Sequence, residues 1–229
     1  MTSSADQSHA PTPVREVGVG PWPDGVPVPD DPRLDPELLA HGDTRNVVDE
    51  FRYWTVEAIV AELDARRFPF HVAVENWGHD FNIGSVVRSA NAFGARAVHV
   101  VGRRRWNRRG AMVTDRYQHV HHHPDVADLA RWAREAGLAL VGIDNVPGSV
   151  PIEGYAIPRE CVLLFGAESE GLSAAAREAC EVVLHLTQFG STRSINAGAA
   201  AAVAMHDWVL QHGPRQGPGE AEQQGLQQG

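Results

Sequence analysis

From residue 70 onward, short apolar segments alternate with segments in which apolar residues recur at helical spacing. The candidate strands are 70–75, 97–101, 118–122, 138–143, 160–165 and 181–186, and the candidate helices are 84–93, 125–136, 173–180 and 195–211. Such alternation is typical of an α/β fold, a mainly parallel sheet with helices on both faces. In these sheets ligands bind in the loops beyond the carboxyl ends of the strands.

The segments on either side of this body differ in composition. Residues 1–43 are acidic and rich in Pro and Gly, and residues 213–229 consist largely of Gly, Gln and Pro; both predict disorder. Between 44 and 69 apolar residues recur at helical spacing, which predicts an amphipathic N-terminal helix. The domain that carries the function is therefore expected at 70–212.

The net charge of −9 is unevenly distributed. Residues 1–65 hold 13 acidic residues and 4 Arg, whereas residues 66–212 are almost neutral, with 15 Arg and 14 acidic residues. Every basic residue is Arg, which can grip phosphate through two parallel hydrogen bonds and stack on bases. A bias in genome composition explains the absence of Lys equally well.

Several classes of protein are disfavoured. The longest apolar run, Ala199–Met205, is too short to cross a bilayer, and the first residues lack the pattern of a signal peptide, so a cytoplasmic protein without a membrane partner is expected. Cys161 and Cys180 are isolated and apolar-flanked, as reduced core cysteines are. A Gly-x-Gly-x-x-Gly turn and a Walker loop are both missing, which disfavours a nucleotide-dependent oxidoreductase.

Three polar segments that contain glycine follow three of the candidate strands. The first, residues 82–94, reads Asn-Ile-Gly-Ser-Val-Val-Arg-Ser-Ala-Asn-Ala-Phe-Gly, and a helix is expected to begin there. Helix N-termini attract anions through their free N–H groups and their dipole. Asn82 and Arg88 are therefore candidates for holding a phosphate or a ribose.

The second segment, 163–173, runs from an apolar strand into a turn with two glycines and two glutamates, ahead of a helix capped by Ser173. The third, 186–198, is a polar loop that opens a helix made almost wholly of Ala, Gly and Val as far as Met205. Each segment alone could be an ordinary strand–turn–helix joint. All three in one chain indicate a binding site.

Together the three segments resemble the motifs of the SpoU/TrmH family of SPOUT-class RNA methyltransferases, over roughly residues 70–212. The resemblance implies an α/β domain with a C-terminal trefoil knot, a homodimer, and no metal. It also implies methyl transfer from S-adenosyl-L-methionine to a ribose 2′-hydroxyl of tRNA or rRNA. Because no separate folded RNA-binding domain is evident, tRNA is weakly favoured.

The resemblance also assigns residues to roles. Its catalytic group is Asn82, Arg88, Glu168, Ser194 and Asn196, and its cofactor-binding group is Ile143, Gly166, Gly171, Leu186, Ser194 and Ile195. Two departures stand out: Leu186-Thr187-Gln188 replaces the family's usual Ile-Pro-Met, and residues 114–118 replace a small-residue segment common in relatives. Arg is normally locked in its protonated form, which favours Arg88 as an electrostatic anchor rather than a base.

Five arginines surround one tryptophan after the strand at 97–101, an arrangement that suits phosphate contact and base stacking. The predicted RNA-binding residues are Arg103, Arg104, Arg105, Trp106, Arg108 and Arg109; a solvated charged loop is the alternative.

His119, His121, His122 and His123 suggest zinc by composition, but their period-two pattern favours a strand entering a loop. Asp144 and Asn145 either touch the cofactor or shape a turn.

The function expected from all of this is methyl transfer to ribose in structured RNA. The competing hypothesis is a SPOUT-like module that binds RNA or cofactor but has lost catalysis. The presence of Asn82, Arg88, Glu168, Ser194 and Asn196 argues against that loss.

Overall fold

The structure, a computed structural model, describes residues 18–78, 82–168, 170–192 and 194–214. The chain divides into two compact units, residues 1–58 and 59–229. Among the described helices, none is long and apolar enough to cross a membrane.

The described part of the first unit is ordered, so the prediction of disorder is wrong for residues 18–43. A short helix, α1 (Pro36–His41), is capped by the side chain of Asp35, which accepts a hydrogen bond from the Glu37 backbone N–H. The carboxylate of Asp43 is completely buried and accepts hydrogen bonds from the Arg45 guanidinium at 2.7 and 2.8 Å. Local polar contacts thus order a segment whose composition predicts disorder.

The predictions of disorder at residues 1–17 and 215–229 lie outside the described residues.

The predicted N-terminal helix is shorter than the apolar spacing indicates. Helix α2 spans Val56–Arg66 and is preceded by a single 3-10 turn at Asp49–Phe51. Tyr53 lies in the left-handed region, with φ of 61°, and its N–H donates to Asp43. This conformation interrupts any helix, and α2 begins only where the Thr55 hydroxyl accepts the Ala58 N–H.

The second unit contains a parallel sheet, which confirms the α/β class predicted from the sequence. Its strands are β1 (His71–Asn76), β2 (Val98–Gly102), β3 (Val120–His123), β4 (Ala139–Ile143), β5 (Val150–Pro151), β6 (Cys161–Phe165) and β7 (Val182–His185). The strand order is β3-β2-β1-β6-β4-β7-β5, with every pairing parallel. The two-residue β5 was not predicted, because so short a strand leaves no periodic pattern.

Helices cover both faces of this sheet, as the alternation predicts. They are α3 (Ile83–Ala92), α4 (Val126–Glu135), α5 (Ala174–Ala179) and α6 (Ala197–His212). Helices α3 and α6 contribute to one apolar cluster with one face of the central strands, and α4 and α5 contribute to a second cluster with the opposite face. The order places β6 between β1 and β4, so the carboxyl ends of β1, β4, β6 and β7 lie along one edge.

Candidate active site

A cavity of about 300 Å³ lies where β4, β6 and β7 end. Seven of the predicted site residues line it: Ile143, Gly166, Glu168, Gly171, Leu186, Ser194 and Ile195. Asp144, Asn145, Phe165 and Gln188 complete much of the wall. Within the described residues, the structure therefore brings the ends of the second and third segments to one cavity.

The second segment forms a tight turn that only glycine permits. The backbones of Ala167 and Gly171 exchange two hydrogen bonds, of 3.1 and 2.8 Å. A Cβ on Gly166 would lie 1.9 Å from the carbonyl carbon of Gly171, and Gly171 itself has φ of +67°. The turn therefore needs glycine at both positions. Ser169 lies outside the described residues.

Asp144 ties this turn to the end of β4. Its Oδ2 accepts the Leu172 N–H at 2.8 Å, and its Oδ1 accepts the Asn145 N–H at 2.7 Å. Of the two roles that the sequence left open for Asp144, shaping a turn is thus what the structure shows, although the residue also lines the cavity.

Glu75, on strand β1, holds the residue Ser173 that follows the glycine turn; the sequence alone did not identify this glutamate. Its side chain has no solvent exposure, yet both oxygens are satisfied: Oε2 accepts the Ser173 N–H at 2.8 Å and Oε1 accepts the Trp77 indole N–H at 2.7 Å. Burial, followed by the nearby Glu75 charge, raises the pKa of the Cys180 thiol to about 12. An acidic residue within an otherwise apolar strand is the signal that could have revealed Glu75.

The first and third segments meet through a pair of asparagines. The Asn196 Nδ2 donates to Asn82 Oδ1 at 3.0 Å, and Asn196 Oδ1 caps α6 by accepting the Ala199 N–H at 3.1 Å. A Cβ on Gly198 would lie 3.2 Å from Ser85 Cβ, so a small residue there lets the two helices approach closely. The first and third segments are therefore in direct contact.

Arg88 lies exposed on α3, one turn beyond Ser85 on the same side of the helix. No ion pair to Arg88 is found among the described residues. Asn82, Arg88 and Asn196 do not line the cavity, whereas Ser194 and Ile195, immediately before Asn196, do. The segment 194–196 thus connects the cavity to the asparagine pair.

The loop after β7 is held at its base by a carboxylate that the sequence analysis did not identify. Glu153 accepts two hydrogen bonds from Thr187, from the backbone N–H at 3.0 Å and from the hydroxyl at 2.8 Å. Further along, Phe189 is 96% exposed, and Arg193 lies outside the described residues.

The arginine-rich loop begins at the end of β2 and is fixed by Asn76 at the end of β1. The Asn76 amide donates to the carbonyl oxygens of Arg103 and Arg105, at 2.7 and 3.0 Å. The side chains of all five predicted RNA-binding arginines are exposed, whereas Trp106 is half-buried against the core. The Arg108 guanidinium lies 5.6 Å from the centre of the Trp106 ring. Asn76 therefore fixes the backbone of a loop that exposes five arginine side chains beyond the carboxyl ends of β1 and β2.

Three histidines and the Asp128 carboxylate form a hydrogen-bonded chain. His71 Nδ1 lies 3.0 Å from His99 Nε2, His99 Nδ1 lies 2.9 Å from His123 Nε2, and His123 Nδ1 lies 2.8 Å from a carboxylate oxygen of Asp128. Among the described residues, no group of three possible metal ligands is arranged to hold an ion. The strand predicted at 118–122 corresponds to β3. Its histidines His121 and His123 lie on the same side and contact the His99 ring of the hydrogen-bonded chain.

The parallel sheet and the cavity at its carboxyl edge define a ligand-binding α/β domain. The profile of the SpoU rRNA Methylase family matches residues 69–206. The chain therefore belongs to the SpoU rRNA methylase family, as the three motifs predict.

Individual proteins are also similar to this chain. An uncharacterized tRNA/rRNA methyltransferase of Mycolicibacterium vanbaalenii is 30% identical over 199 residues, 82% of this chain and 62% of that protein. The chain thus spans less than two thirds of that relative's length. The SpoU methyltransferase AviRb from Streptomyces viridochromogenes, in complex with the cofactor AdoMet, is 29% identical with a TM-score of 0.57, covering 63% of this chain and 58% of AviRb. An RNA 2′-O ribose methyltransferase is 25% identical with a TM-score of 0.55, covering 64% and 58%.

Proposed function

We propose that the protein transfers a methyl group from S-adenosyl-L-methionine to a ribose 2′-hydroxyl of structured RNA. The observation that carries the proposal is the Asn82–Asn196 hydrogen bond, which joins the first and third motifs directly beside the cavity. The names of two similar structures, one in complex with AdoMet and one a ribose methyltransferase, support the proposed cofactor and acceptor.

The residues around the cavity fit such a cofactor. A volume of about 300 Å³ is at the lower end of the range for small-molecule sites, and its wall combines apolar side chains with a few polar groups. Ile143, Phe165 and Leu186 offer an apolar surface for a flat base, while Glu168 and Ser194 offer acceptors and donors for its polar part. Bound there, the cofactor supplies an electrophilic methyl group, and the glycine turn fixes the wall against which it lies.

The acceptor hydroxyl requires an electrostatic partner, since a ribose hydroxyl is a poor nucleophile at neutral pH. Arg88 is exposed on α3, the helix that begins directly after Asn82, and its guanidinium stays protonated. It would therefore stabilise the developing alkoxide, or the adjacent phosphate, while the hydroxyl proton is lost to solvent water and S-adenosyl-L-homocysteine is released as the S–CH3 bond breaks. Asn82, Ser194 and Asn196 orient the ribose and the cofactor.

RNA binds along the exposed arginine loop at 103–109, where phosphates meet guanidinium groups and Trp106 offers an aromatic surface. We favour tRNA over rRNA because the described part of the first unit does not add a basic surface. Residues 18–58 carry nine acidic residues against three Arg.

The proposal includes a homodimer and the family's C-terminal trefoil knot. Helix α6 leaves Val203 and Leu210 exposed, at 48% and 67%, on the side away from the core. A second copy of the chain covers this apolar strip in the proposed dimer.

Tritium transfer from labelled cofactor into a bulk tRNA fraction, taken from cells that lack the gene, tests the proposal. Wild-type protein is expected to label the RNA, and the labelled site should resist alkaline cleavage because a 2′-O-methyl group blocks it. Arg88→Ala should lower turnover by about 100-fold, with Arg88→Lys rescuing little. Cofactor affinity, measured by calorimetry, should stay nearly unchanged. Binding of cofactor or RNA without any transfer would instead support the non-catalytic module.

A further inference from the structure

Residues 103–118, here called the clamped loop, are held at three points. Asn76 fixes the start, through the two carbonyl contacts described above. Gly110 fixes the middle, since a Cβ there would lie 2.9 Å from the Ser85 backbone nitrogen on α3. A Cβ on Gly84 would lie 2.6 Å from the Ala111 nitrogen, so the two backbones touch. The loop therefore packs directly on the first turn of α3.

The end of the clamped loop is fixed by a buried arginine. The Arg67 side chain is only 2% exposed and is paired with Asp64 at 2.7 Å. Its guanidinium donates to Gln118 Oε1 at 2.6 Å and to the Tyr117 carbonyl at 2.5 Å. Contacts with Asn76, helix α3 and Arg67 therefore fix the start, the middle and the end of the clamped loop.

The tip of the clamped loop, residues 112–113, has a strained backbone. Met112 and Val113 are consecutive residues in the left-handed region, with φ of 47° and 69°. For a β-branched residue such as Val113 this conformation is a genuine outlier. The Arg108–Asp115 ion pair at 3.3 Å closes the loop around the tip, and the Thr114 hydroxyl donates to the Ala111 carbonyl. The surroundings thus enforce a conformation that the two residues disfavour.

The strained side chains are also exposed, Met112 by 59% and Val113 by 51%. Neither burial nor backbone preference accounts for two large apolar groups in this position. Strain that the surrounding structure enforces is concentrated at binding sites, where it holds a group ready for its ligand. The tip belongs to a loop that packs on the helix carrying Asn82 and Arg88, and that also carries the RNA-binding arginines.

We propose that Met112 and Val113 form an apolar platform for a nucleobase of the RNA, beside the ribose to be methylated. Bases are the apolar part of RNA, and an uncharged rigid surface beside a row of arginines suits a base rather than a phosphate. The inference rests on the proposed function and makes the tip an element that selects the substrate.

Glycine substitutions test the platform, because glycine removes the side chain and accepts the left-handed backbone. Met112→Gly and Val113→Gly should leave the urea midpoint unchanged or raised. They should weaken the affinity for a fluorescein-labelled tRNA transcript by about tenfold, the effect of uncovering one apolar side chain, whereas Met112→Leu should retain it. The matched control is Val28→Gly, which removes a valine of similar exposure, 53%, from the first unit and should change nothing.

The dependence of this affinity on salt separates a base contact from a phosphate contact. Loss of an apolar platform should lower affinity at every salt concentration while the slope of log affinity against log salt stays constant. An unchanged affinity in both glycine variants, or a changed slope, would overturn the platform. The measurement needs no methyl transfer, so wild-type protein that binds RNA without labelling it overturns the proposed function alone. Wild-type protein that binds no RNA overturns both.

Discussion

The amide nitrogen of Asn196 donates a hydrogen bond to Oδ1 of Asn82, 114 positions earlier in the chain, at 3.0 Å. The other end of the same amide caps α6 through the Ala199 N–H. One side chain therefore starts the last helix and attaches it to the first motif. The geometry around the proposed ribose site consequently depends on both contacts.

Asn196→Asp and Asn196→Ala should separate these two contacts. Aspartate still accepts the Ala199 N–H, so the cap survives, but its carboxylate cannot donate to Asn82. Alanine loses both, and the loss of the cap should cost about 1 kcal/mol of unfolding free energy. Urea unfolding should therefore show the larger loss in Asn196→Ala, whereas methyl transfer should fall strongly in both variants. An aspartate variant with full turnover would show that the asparagine pair is only structural.

The sequence predicts the motif residues but not the groups that hold them. The family resemblance assigned Asn82 and Asn196 to one site, but their direct contact could not be predicted, because β1 and β7, the strands that precede them, are separated by β6 and β4 in the sheet. Glu75 escaped, and the partner of Asp144 could not be predicted, because each accepts a hydrogen bond from a backbone N–H group, 98 and 28 positions away respectively, which no local pattern encodes. The helix predicted at 44–66 failed in its first half because a single left-handed residue, Tyr53, outweighs apolar spacing.

Gly166→Ala should disrupt the cavity without touching any charged group. The added methyl would meet backbone at 1.9 Å, which no rotamer can relieve, so the glycine turn must move. We expect a loss of stability of about 2–3 kcal/mol from overpacking, together with loss of cofactor binding. Gly190→Ala is the control, because nothing lies within 4 Å of a Cβ there. Denaturant unfolding and calorimetry with S-adenosyl-L-methionine measure the two effects; intact cofactor affinity in Gly166→Ala would place the ligand elsewhere.

Replacing Arg103, Arg104, Arg105, Arg108 and Arg109 with Gln should weaken RNA binding and flatten its salt dependence. Each phosphate contact removed should reduce the slope of log affinity against log salt by about 0.7–0.9. Cofactor affinity should not change. Gln at Arg96, Arg131, Arg134, Arg159 and Arg177, which are also exposed but lie outside this loop, removes an equal number of positive charges as a control. If both sets weaken binding equally, the loop is a solvated surface and net charge alone governs affinity.

Val203→Glu and Leu210→Glu test the proposed dimer on the exposed side of α6. Both side chains are largely solvent-exposed within the monomer, so the folded chain should tolerate the charge. In a dimer the same charge would be buried without a partner, at a cost of several kcal/mol, and the chain should become monomeric. Light scattering at micromolar concentration reports the change. Val150→Glu, on a different part of the surface, is the control. A monomeric, fully active wild-type protein contradicts the dimer.

The histidine chain should make stability depend on pH. Burial lowers the pKa of His99 to about 2 and that of His71 to about 4, with the neighbouring Arg96 and His121 charges adding to the effect at His71. In the unfolded chain both residues have a pKa near 6.5. Below pH 6.5 the unfolded state therefore binds protons that the folded state does not. The stabilisation is fully present above about pH 7 and is lost as the pH falls, down to about 4 for His71 and about 2 for His99, at up to about 1.4 kcal/mol per pH unit for each proton.

The hydrogen bonds that link the three histidines all run in one donor-to-acceptor direction, which Asp128 sets. The hydrogen bond from His123 lowers the pKa of the Asp128 carboxyl, so the carboxylate accepts and His123 Nδ1 donates. His123 Nε2 must then accept from His99, and His99 Nε2 from His71, which places the proton on Nδ1 in all three rings. Nitrogen-15 NMR at pH 7.5 should show this tautomer throughout. His99→Gln should flatten the loss of stability between pH 7 and 5 in urea titrations, whereas His41→Gln, at an exposed site, should not. An unaltered pH profile in His99→Gln would mean that other groups govern acid unfolding.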